Sequence, residues 1–191
     1  MNLELLLPHI QKRIQLNDED AQLLRFVLKE KKFKKKTFIL KKGENCRYIY
    51  FVNSGLLRAF HLSPHGKDST IMFATKEWWI TDMYCFANRL PAMVNIQALQ
   101  DCELLALSKD KLDQLFRDTP KFERYFRILM ENAYSREQLR MIQNLSNTAK
   151  ERYVAFLKKY PDISAHVTQK QIASYLGITP EFLSTIRAEK D

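Results

Sequence analysis

The stretch Thr168-Gln169-Lys170-Gln171-Ile172-Ala173-Ser174-Tyr175-Leu176-Gly177-Ile178-Thr179-Pro180-Glu181-Phe182-Leu183-Ser184-Thr185-Ile186-Arg187-Ala188-Glu189-Lys190-Asp191 decides the reading of this chain. Thr168 with Gln171 makes a capping box, in which each side chain satisfies the other residue's free backbone N–H, so a helix starts there. Ile172, Ala173 and Leu176 fall on one face of it. Gly177 supplies the positive φ that ends a helix. Thr179 then offers an N-cap oxygen, and Pro180 at the first helical position gives up no needed N–H. Leu183 and Ile186 continue the apolar face, with Phe182 beside them. Two short helices joined by a tight glycine-containing turn form a helix-turn-helix unit. Each is too short to offset the cost of nucleation alone, so a further helix must pack behind them.

That support lies upstream. Thr148-Ala149-Lys150-Glu151 is a second capping box. It opens a segment whose apolar residues are Tyr153, Val154, Phe156 and Leu157, closed by Pro161. Before it, Thr119-Pro120 starts a long helix carrying Phe122, Tyr125, Phe126, Leu129, Met130, Ala133, Tyr134, Met141, Ile142 and Leu145. Steps of three and four recur over about seven turns at 3.6 residues per turn. A small barrel cannot wrap so long a helix. Phe122, Phe126, Leu129, Met130 and Ala133 are therefore expected to line a seam with a second copy of the chain. The alternative is an ordinary core helix. The polar run Gln143-Asn144-Leu145-Ser146-Asn147 reads as a hinge. The expected division is residues 1–117, a sensor domain; 118–146, a dimerisation helix and hinge; and 147–191, the helix-turn-helix domain.

The first part of the chain follows a different period. Residues 2–14 read as a short helix, and Asn17-Asp18-Glu19-Asp20 caps a second with Leu23, Leu24, Val27 and Leu28 as its stripe. Strands follow: Phe38 to Leu40, Tyr48 to Val52, Leu56 to Leu62, Thr70 to Ala74, Trp78 to Ile80, Ile96 to Leu99 and Glu103 to Ser108. Ser63-Pro64-His65-Gly66-Lys67 is a hairpin signal. Short strands at even spacing imply a sandwich or barrel rather than a βαβ sheet. Lys109 to Arg117 is a short helix. The fold class is α+β: a β-roll with flanking helices, a long helix and a small helical domain.

Composition narrows the function classes. The chain has 191 residues, 46% of them hydrophobic, and a net charge of +9, which favours an anionic partner such as a phosphate backbone. The densest basic run, Lys29 to Lys42, lies far from the C-terminal motif and reads as a solvated face and protected strand edge. No signal peptide or membrane span is visible at the N-terminus. Cys46, Cys85 and Cys102 suggest neither a disulfide framework nor a metal site. A cytoplasmic location is expected, with no metal and no membrane partner. No catalytic constellation is present, so an enzyme is not expected.

Helix, β-roll, long helix and helix-turn-helix, in this order and length, resemble the Crp/Fnr family of bacterial transcription regulators, and within it a short, glycine-poor branch. Lys42-Gly43-Glu44 and Tyr48 to Arg58 resemble the opening strands of the family's cyclic-nucleotide-binding-like β-roll. Thr148 to Tyr153 and Ile172 to Thr179 resemble its DNA-binding domain. The resemblance implies a homodimer that binds double-stranded DNA, with RNA polymerase as a further partner and a small-molecule effector in the β-roll. It places the effector near Thr81, Asp82, Met83, Tyr84, Met93 and Asn95. There the chain departs from the family. The usual Gly-Glu pair for a ribose is replaced by Thr81-Asp82, where Asp82 can still accept from a ribose hydroxyl. The usual Arg-Ser or Arg-Ala pair for a cyclic phosphate is replaced by Pro91-Ala92-Met93-Val94-Asn95, with Arg89 displaced upstream. A buried cyclic phosphate without a paired cation is costly, which argues against cyclic AMP and cyclic GMP. An alternative is that Trp78, Trp79, Met83, Tyr84 and Phe86 simply pack the barrel mouth. The N-terminal cysteine cluster of iron–sulfur members is absent.

The recognition helix departs as well. Where the family commonly has Arg-Glu and a later Arg, this chain has Pro180-Glu181 and Thr185. Glu181, Ser184, Thr185 and Ala188 form a stripe opposite Leu183 and Ile186. Glu181 would accept from a cytosine N4 and Thr185 would touch a thymine methyl. Arg187 and Lys190 would hold phosphates, and Thr168, Gln169 and Lys170, with Thr179 at the next cap, would meet the backbone. The sequence reaches Asp191 at the end of this helix, so a full wing is not expected. Two functions follow: a DNA-binding, effector-sensing transcription regulator, or a sensory or interaction module of the same fold that has lost specific DNA binding.

Overall fold

The computed structural model describes residues 1–188. Two short helices open it, α1 (Leu6–Gln11) and α2 (Asp18–Val27). Eight strands follow: β1 (Leu28–Phe33), β2 (Phe38–Leu40), β3 (Tyr48–Ser54), β4 (Leu57–Leu62), β5 (Asp68–Ala74), β6 (Trp79–Ile80), β7 (Asn95–Ala98) and β8 (Cys102–Ser108). A short helix, α3 (Met83–Asn88), lies between β6 and β7. After β8 come α4 (Lys109–Asp118), α5 (Lys121–Ser146), α6 (Ala149–Lys159), α7 (Gln169–Leu176) and α8 (Pro180–Ala188). The strands form two antiparallel four-stranded sheets, β1-β8-β3-β6 and β2-β7-β4-β5. This is the expected α+β architecture with a β-roll.

Local chemistry sets the element ends. Asn17 and Asp20 make a reciprocal capping box that starts α2. Leu28, expected on that helix, instead opens β1, because it pairs with Leu107 of β8. The lysines of β1 thus lie on a sheet edge, where Lys32 pairs with Glu103 at 2.6 Å. Charged side chains on such an edge discourage pairing with another chain. Within the polar run 143–147, residues 143–146 continue α5 and the helical region ends at Asn147. At Gly55, φ is +95°, and a Cβ would stand 2.5 Å from the Asp101 carbonyl oxygen and the Cys102 Sγ. The chain can turn there only without a side chain.

The core is shared between strands and helices. Ile49, Tyr50, Phe51 and Val52 are all buried, so both faces of β3 are covered. Leu6, Ile10, Leu24, Leu112 and Leu115 pack into the same core as Phe122, Tyr125 and Phe126 at the start of α5. Phe122 and Phe126 were expected on an intermolecular seam; they are instead buried in the chain's own core, Phe126 5.4 Å from Trp79 and from Phe116 by ring centroid. Leu129 packs at the edge of the same core. At 1.5 Å per residue the 26-residue α5 is roughly 39 Å long, and its second half carries apolar side chains that the chain does not cover. Tyr134, Met141, Ile142 and Leu145 are exposed there.

A hydrogen-bonded chain joins α1, β6 and α5. The Trp79 indole N–H donates to the Tyr125 hydroxyl at 2.9 Å. The Tyr125 oxygen lies 2.8 Å from Nδ1 of buried His9, and a neutral imidazole accepts the tyrosine proton. Burial, with the charge of Arg13 next, pulls the His9 pKa down to about 4. The unfolded chain, with the ordinary value near 6.5, takes up the proton first. Stability should therefore be fully present above about pH 6.5 and fall as the pH drops toward about 4. His9→Gln should flatten that slope in chemical denaturation measured across the window. An unchanged slope would assign it to other groups.

Candidate nucleic-acid interface and ligand cavity

The C-terminal helices assemble as their caps dictate. Thr148 and Glu151 cap α6, and Thr168 and Gln171 cap α7, both as complete capping boxes. Gly177 ends α7 at φ +71°, and the Thr179 hydroxyl accepts from the Phe182 N–H at 3.2 Å to start α8. Arg152 donates to the carbonyls of Asn147 (2.7 Å) and Leu176 (3.3 Å), tying the α5–α6 junction to the end of α7. Tyr153, Phe156, Ile172, Ala173, Leu176, Leu183 and Ile186 form one buried cluster. Val154 and Phe182, read as part of the apolar face, are half exposed.

The face opposite that core is free. Glu181, Ser184, Thr185, Arg187 and Ala188 are exposed along α8, as are Thr168, Gln169 and Lys170 at the start of α7 and Thr179 between the helices. The Thr185 hydroxyl donates back to the Glu181 carbonyl at 3.3 Å. All of these expected contact residues are exposed. Lys190 lies outside the described residues.

Sequence reasoning missed how this unit is held. Leu56 and Phe73 of the roll belong to its core, and the Phe73 ring meets Phe156, Tyr160 and Tyr175 at 6.2, 6.3 and 5.7 Å. Beside them lies a polar node. Arg58, with a side chain 4% exposed, pairs with Asp68 and donates Nε–H to the Thr70 hydroxyl at 2.8 Å. The Ser174 hydroxyl of α7 accepts from the Thr70 N–H at 2.8 Å and reaches the Asp68 carboxylate at 2.9 Å. Burial pushes the Asp68 pKa up, but hydrogen bonds from Arg58 and Ser174 and the charges of Arg58 and Lys170 outweigh it, and the net shift is downward. Arg140 of α5 donates to the Ile71 carbonyl and lies 5.1 Å from the Tyr175 ring centroid. The one available hint was an arginine inside the otherwise apolar strand Leu57-Arg58-Ala59-Phe60.

A cavity of about 800 Å³ opens between the roll, α5 and α6. Of the residues expected around an effector, Thr81, Asp82 and Met83 line it; Tyr84, Met93 and Asn95 do not. Tyr84 is 64% and Met93 54% exposed, while Asn95 is buried and accepts from the Lys42 N–H. Asp82 is not open to a ribose. Its carboxylate caps α3 through the Cys85 N–H (3.3 Å) and accepts from Met93 N–H (2.8 Å) and Val94 N–H (3.2 Å). Arg89 ends α3 and pairs outward with Asp110 and Asp113 at 2.7 and 3.1 Å, so it brings no cation into the cavity. Burial raises the pKa of Cys46 and of Cys85, which keeps both as thiols.

Residues 30–119 match the cyclic nucleotide-binding domain family. The anaerobic regulatory protein of Bacillus subtilis is 27% identical over 93 residues, 49% of this chain and 39% of its own length. The match thus spans about two fifths of that relative. The transcriptional activator protein Anr of Pseudomonas protegens is 25% identical over 185 residues, covering 91% of this chain and 75% of that protein. A solved structure of a Eubacterium rectale protein assigned to the Crp/Fnr family of transcriptional regulators superposes with a TM-score of 0.73 at 22% identity, over 91% of this chain and 83% of that one. No described helix is long and apolar enough to cross a membrane.

Ser174→Ala removes the hydroxyl that satisfies the Thr70 N–H and part of Asp68. Leaving such buried groups unpaired costs roughly 1–3 kcal/mol. Backbone amides of α7 should exchange with solvent about tenfold faster or more in hydrogen exchange by mass spectrometry, while β3 and β8 amides stay unchanged. Equal protection of α7 in both proteins would deny the node any role in holding the helix.

Proposed function

We propose that the chain is a member of the Crp/Fnr family, a homodimeric transcription regulator that binds double-stranded DNA and responds to a small molecule held in the cavity. One observation carries the DNA reading. A capped, fully cored helix-turn-helix presents an exposed stripe of Glu181, Ser184, Thr185 and Ala188 opposite buried Leu183 and Ile186, with exposed Arg187 beside it. In a dimer, two such helices would meet successive major grooves roughly 34 Å apart. The relatives named as regulators support a regulator rather than an enzyme. A regulator that binds DNA acts where the DNA is, so we place its action in the cytoplasm.

The cyclic phosphate reading does not fit this site. Asp82 is committed to three backbone N–H groups and Arg89 to two aspartates on the outside. The effector is therefore some other molecule.

Gel-shift titrations against DNA from the protein's own promoter region test the DNA reading. Glu181→Ala and Thr185→Ala should each weaken specific binding by about 5- to 150-fold, the equivalent of ~1–3 kcal/mol per base contact. Lys170→Ala should weaken all sequences alike and lower the salt slope by about one. Weak, sequence-indifferent binding that Glu181 and Thr185 do not affect would favour a module that has lost specific recognition, a reading motivated by the absence of arginine at the start of α8.

Dimerisation draws on α5. Met130, Tyr134, Met141 and Leu145 lie along one helical face, whereas Phe122, Tyr125 and Phe126, nearer the helix start, are buried in the roll. Leu145 is 84% exposed, so a charge there does not disturb the protomer's fold. Met141→Glu with Leu145→Glu should convert a dimer to a monomer in sedimentation velocity. A mass unchanged by both substitutions would place any dimer interface elsewhere.

A further inference from the structure

The cavity carries a charge imbalance that its own side chains do not resolve. Three carboxylates line it, and each is already engaged. Asp82 holds backbone N–H groups, Glu77 pairs with Lys12 at 3.7 Å, and Glu137 pairs with Arg140 at 3.4 Å. Arg13 donates to the His9 carbonyl at 2.7 Å. Three lining cations are left over: Lys76 from the loop after β5, Arg136 from α5 and Lys159 from α6. None has an acidic partner within salt-bridge distance among the described residues. Two of them converge on one indole, with the Arg136 guanidinium 5.2 Å and the Lys159 ammonium 6.0 Å from the Trp78 ring centroid. Like charges gathered at one ring repel, and a bound anion would relieve that repulsion.

The interior behind these cations is apolar. Ile49, Ala59, Met72, Val94 and Leu129 wall it, and Trp79 stands beside them. A ligand that satisfies both parts needs an apolar body and an acidic head. We propose that the cavity binds an amphipathic anion, an aliphatic or aromatic molecule bearing a carboxylate or phosphate, whose head is held by Arg136, Lys159 and Lys76 over Trp78. This rests on the reading of the cavity as the effector site and names its ligand class. Such a ligand touches the roll, the long helix and α6 at once. It therefore bears directly on the position of the helix-turn-helix unit, with Lys159 and Tyr160 as its contacts there.

The ligand body also lies against the same hairpin that holds α7. Ala59 and Met72, cross-strand partners, face the cavity, and their neighbours Arg58 and Phe73, also partners, face the C-terminal helices. Adjacent strand residues point to opposite faces, so one two-stranded wall has ligand space on one side and the α7 contact on the other.

Trp78 and Trp79 are the only two tryptophans in the chain, and both line the cavity, so intrinsic fluorescence reports on this site. The test titrates the full chain, without DNA, with decanoate, decanol and decyltrimethylammonium below their micelle concentrations. Decanoate should shift the emission saturably, at a half-saturation concentration about tenfold or more below those of the neutral and cationic controls. The pair Arg136→Gln and Lys159→Gln, both exposed positions, should raise the decanoate half-saturation about tenfold or more, as expected for loss of charge-assisted contacts. Lys158→Gln, one residue outside the lining, should leave it unchanged. No saturable shift, equal response to decanol and decanoate, or wild-type response in the double variant would each overturn the proposal. Because no DNA is present, failure here leaves the DNA reading standing, and a failed gel shift leaves this one standing.

Discussion

Arg58 and Phe73 are directly opposed across β4 and β5, and this pair fixes where the C-terminal third of the protein sits. Opposed residues of antiparallel strands share a face. One side chain therefore supplies a charge for the polar node with Asp68, Thr70 and Ser174, and the other a ring for the aromatic cluster with Phe156, Tyr160 and Tyr175. The two parts depend on each other. A guanidinium this deeply buried is tolerated only if its donors are met, since breaking a buried pair costs about 3–5 kcal/mol. The aromatic cluster excludes the water that would otherwise compete for the node. The phenylalanine alone would let α7 slide along an apolar surface, and the node fixes its register through the single hydroxyl of Ser174.

This attachment explains how a three-helix unit so small holds together. Helices of 8 and 9 residues, α7 and α8, gain most of their stability from burial rather than propensity. Leu56 and Phe73 from the roll are part of the unit's own core, so its hydrophobic burial is completed only on docking. The position of the exposed face of α8 is thus set by a hairpin of the roll, and the Lys170 charge registers at Asp68 of that hairpin.

The parts of the fold legible in the sequence are those governed by local chemistry. Thr148 with Glu151, Thr168 with Gln171, Gly177 and Thr179 each act on atoms within a few residues, and each cap forms where the residue types place it. The strands from Tyr48 to Ser108 were legible because turns at Gly55 and Gly66 punctuate them. The errors arose where distant partners decide. Leu28 fits a helical stripe but is taken by Leu107 of β8. Phe122 and Phe126 have the spacing of a seam, but spacing alone does not say which chain covers an apolar face, and their own roll does. The Ser174 contact spans 104 residues to Thr70 and leaves no local mark. Of the candidate site, the outward face of α8 was legible from periodicity. The cavity was only half legible, because Tyr84 and Met93 sit on backbone that turns away once Asp82 caps α3.

Asp82 shows why a residue type at an expected place does not settle its role. A carboxylate near the end of β6 suits a ribose hydroxyl as well as it suits a helix cap, and sequence alone does not separate the two. The structure spends it on Cys85, Met93 and Val94. An N–H of Met93 or Val94 already bonded to a buried carboxylate has no capacity left for a ligand oxygen. A phosphate brought to the same loop would also meet a negative charge in place of a positive one, and like charges at that distance disfavour each other strongly in a partly buried site. With its own anion built into the loop and its free cations gathered instead around Trp78, the cavity is polarised toward the α5–α6 side. On the proposed reading, recognition of a small molecule by this chain would be displaced from the β6–β7 loop to the junction where the long helix meets the helix-turn-helix unit.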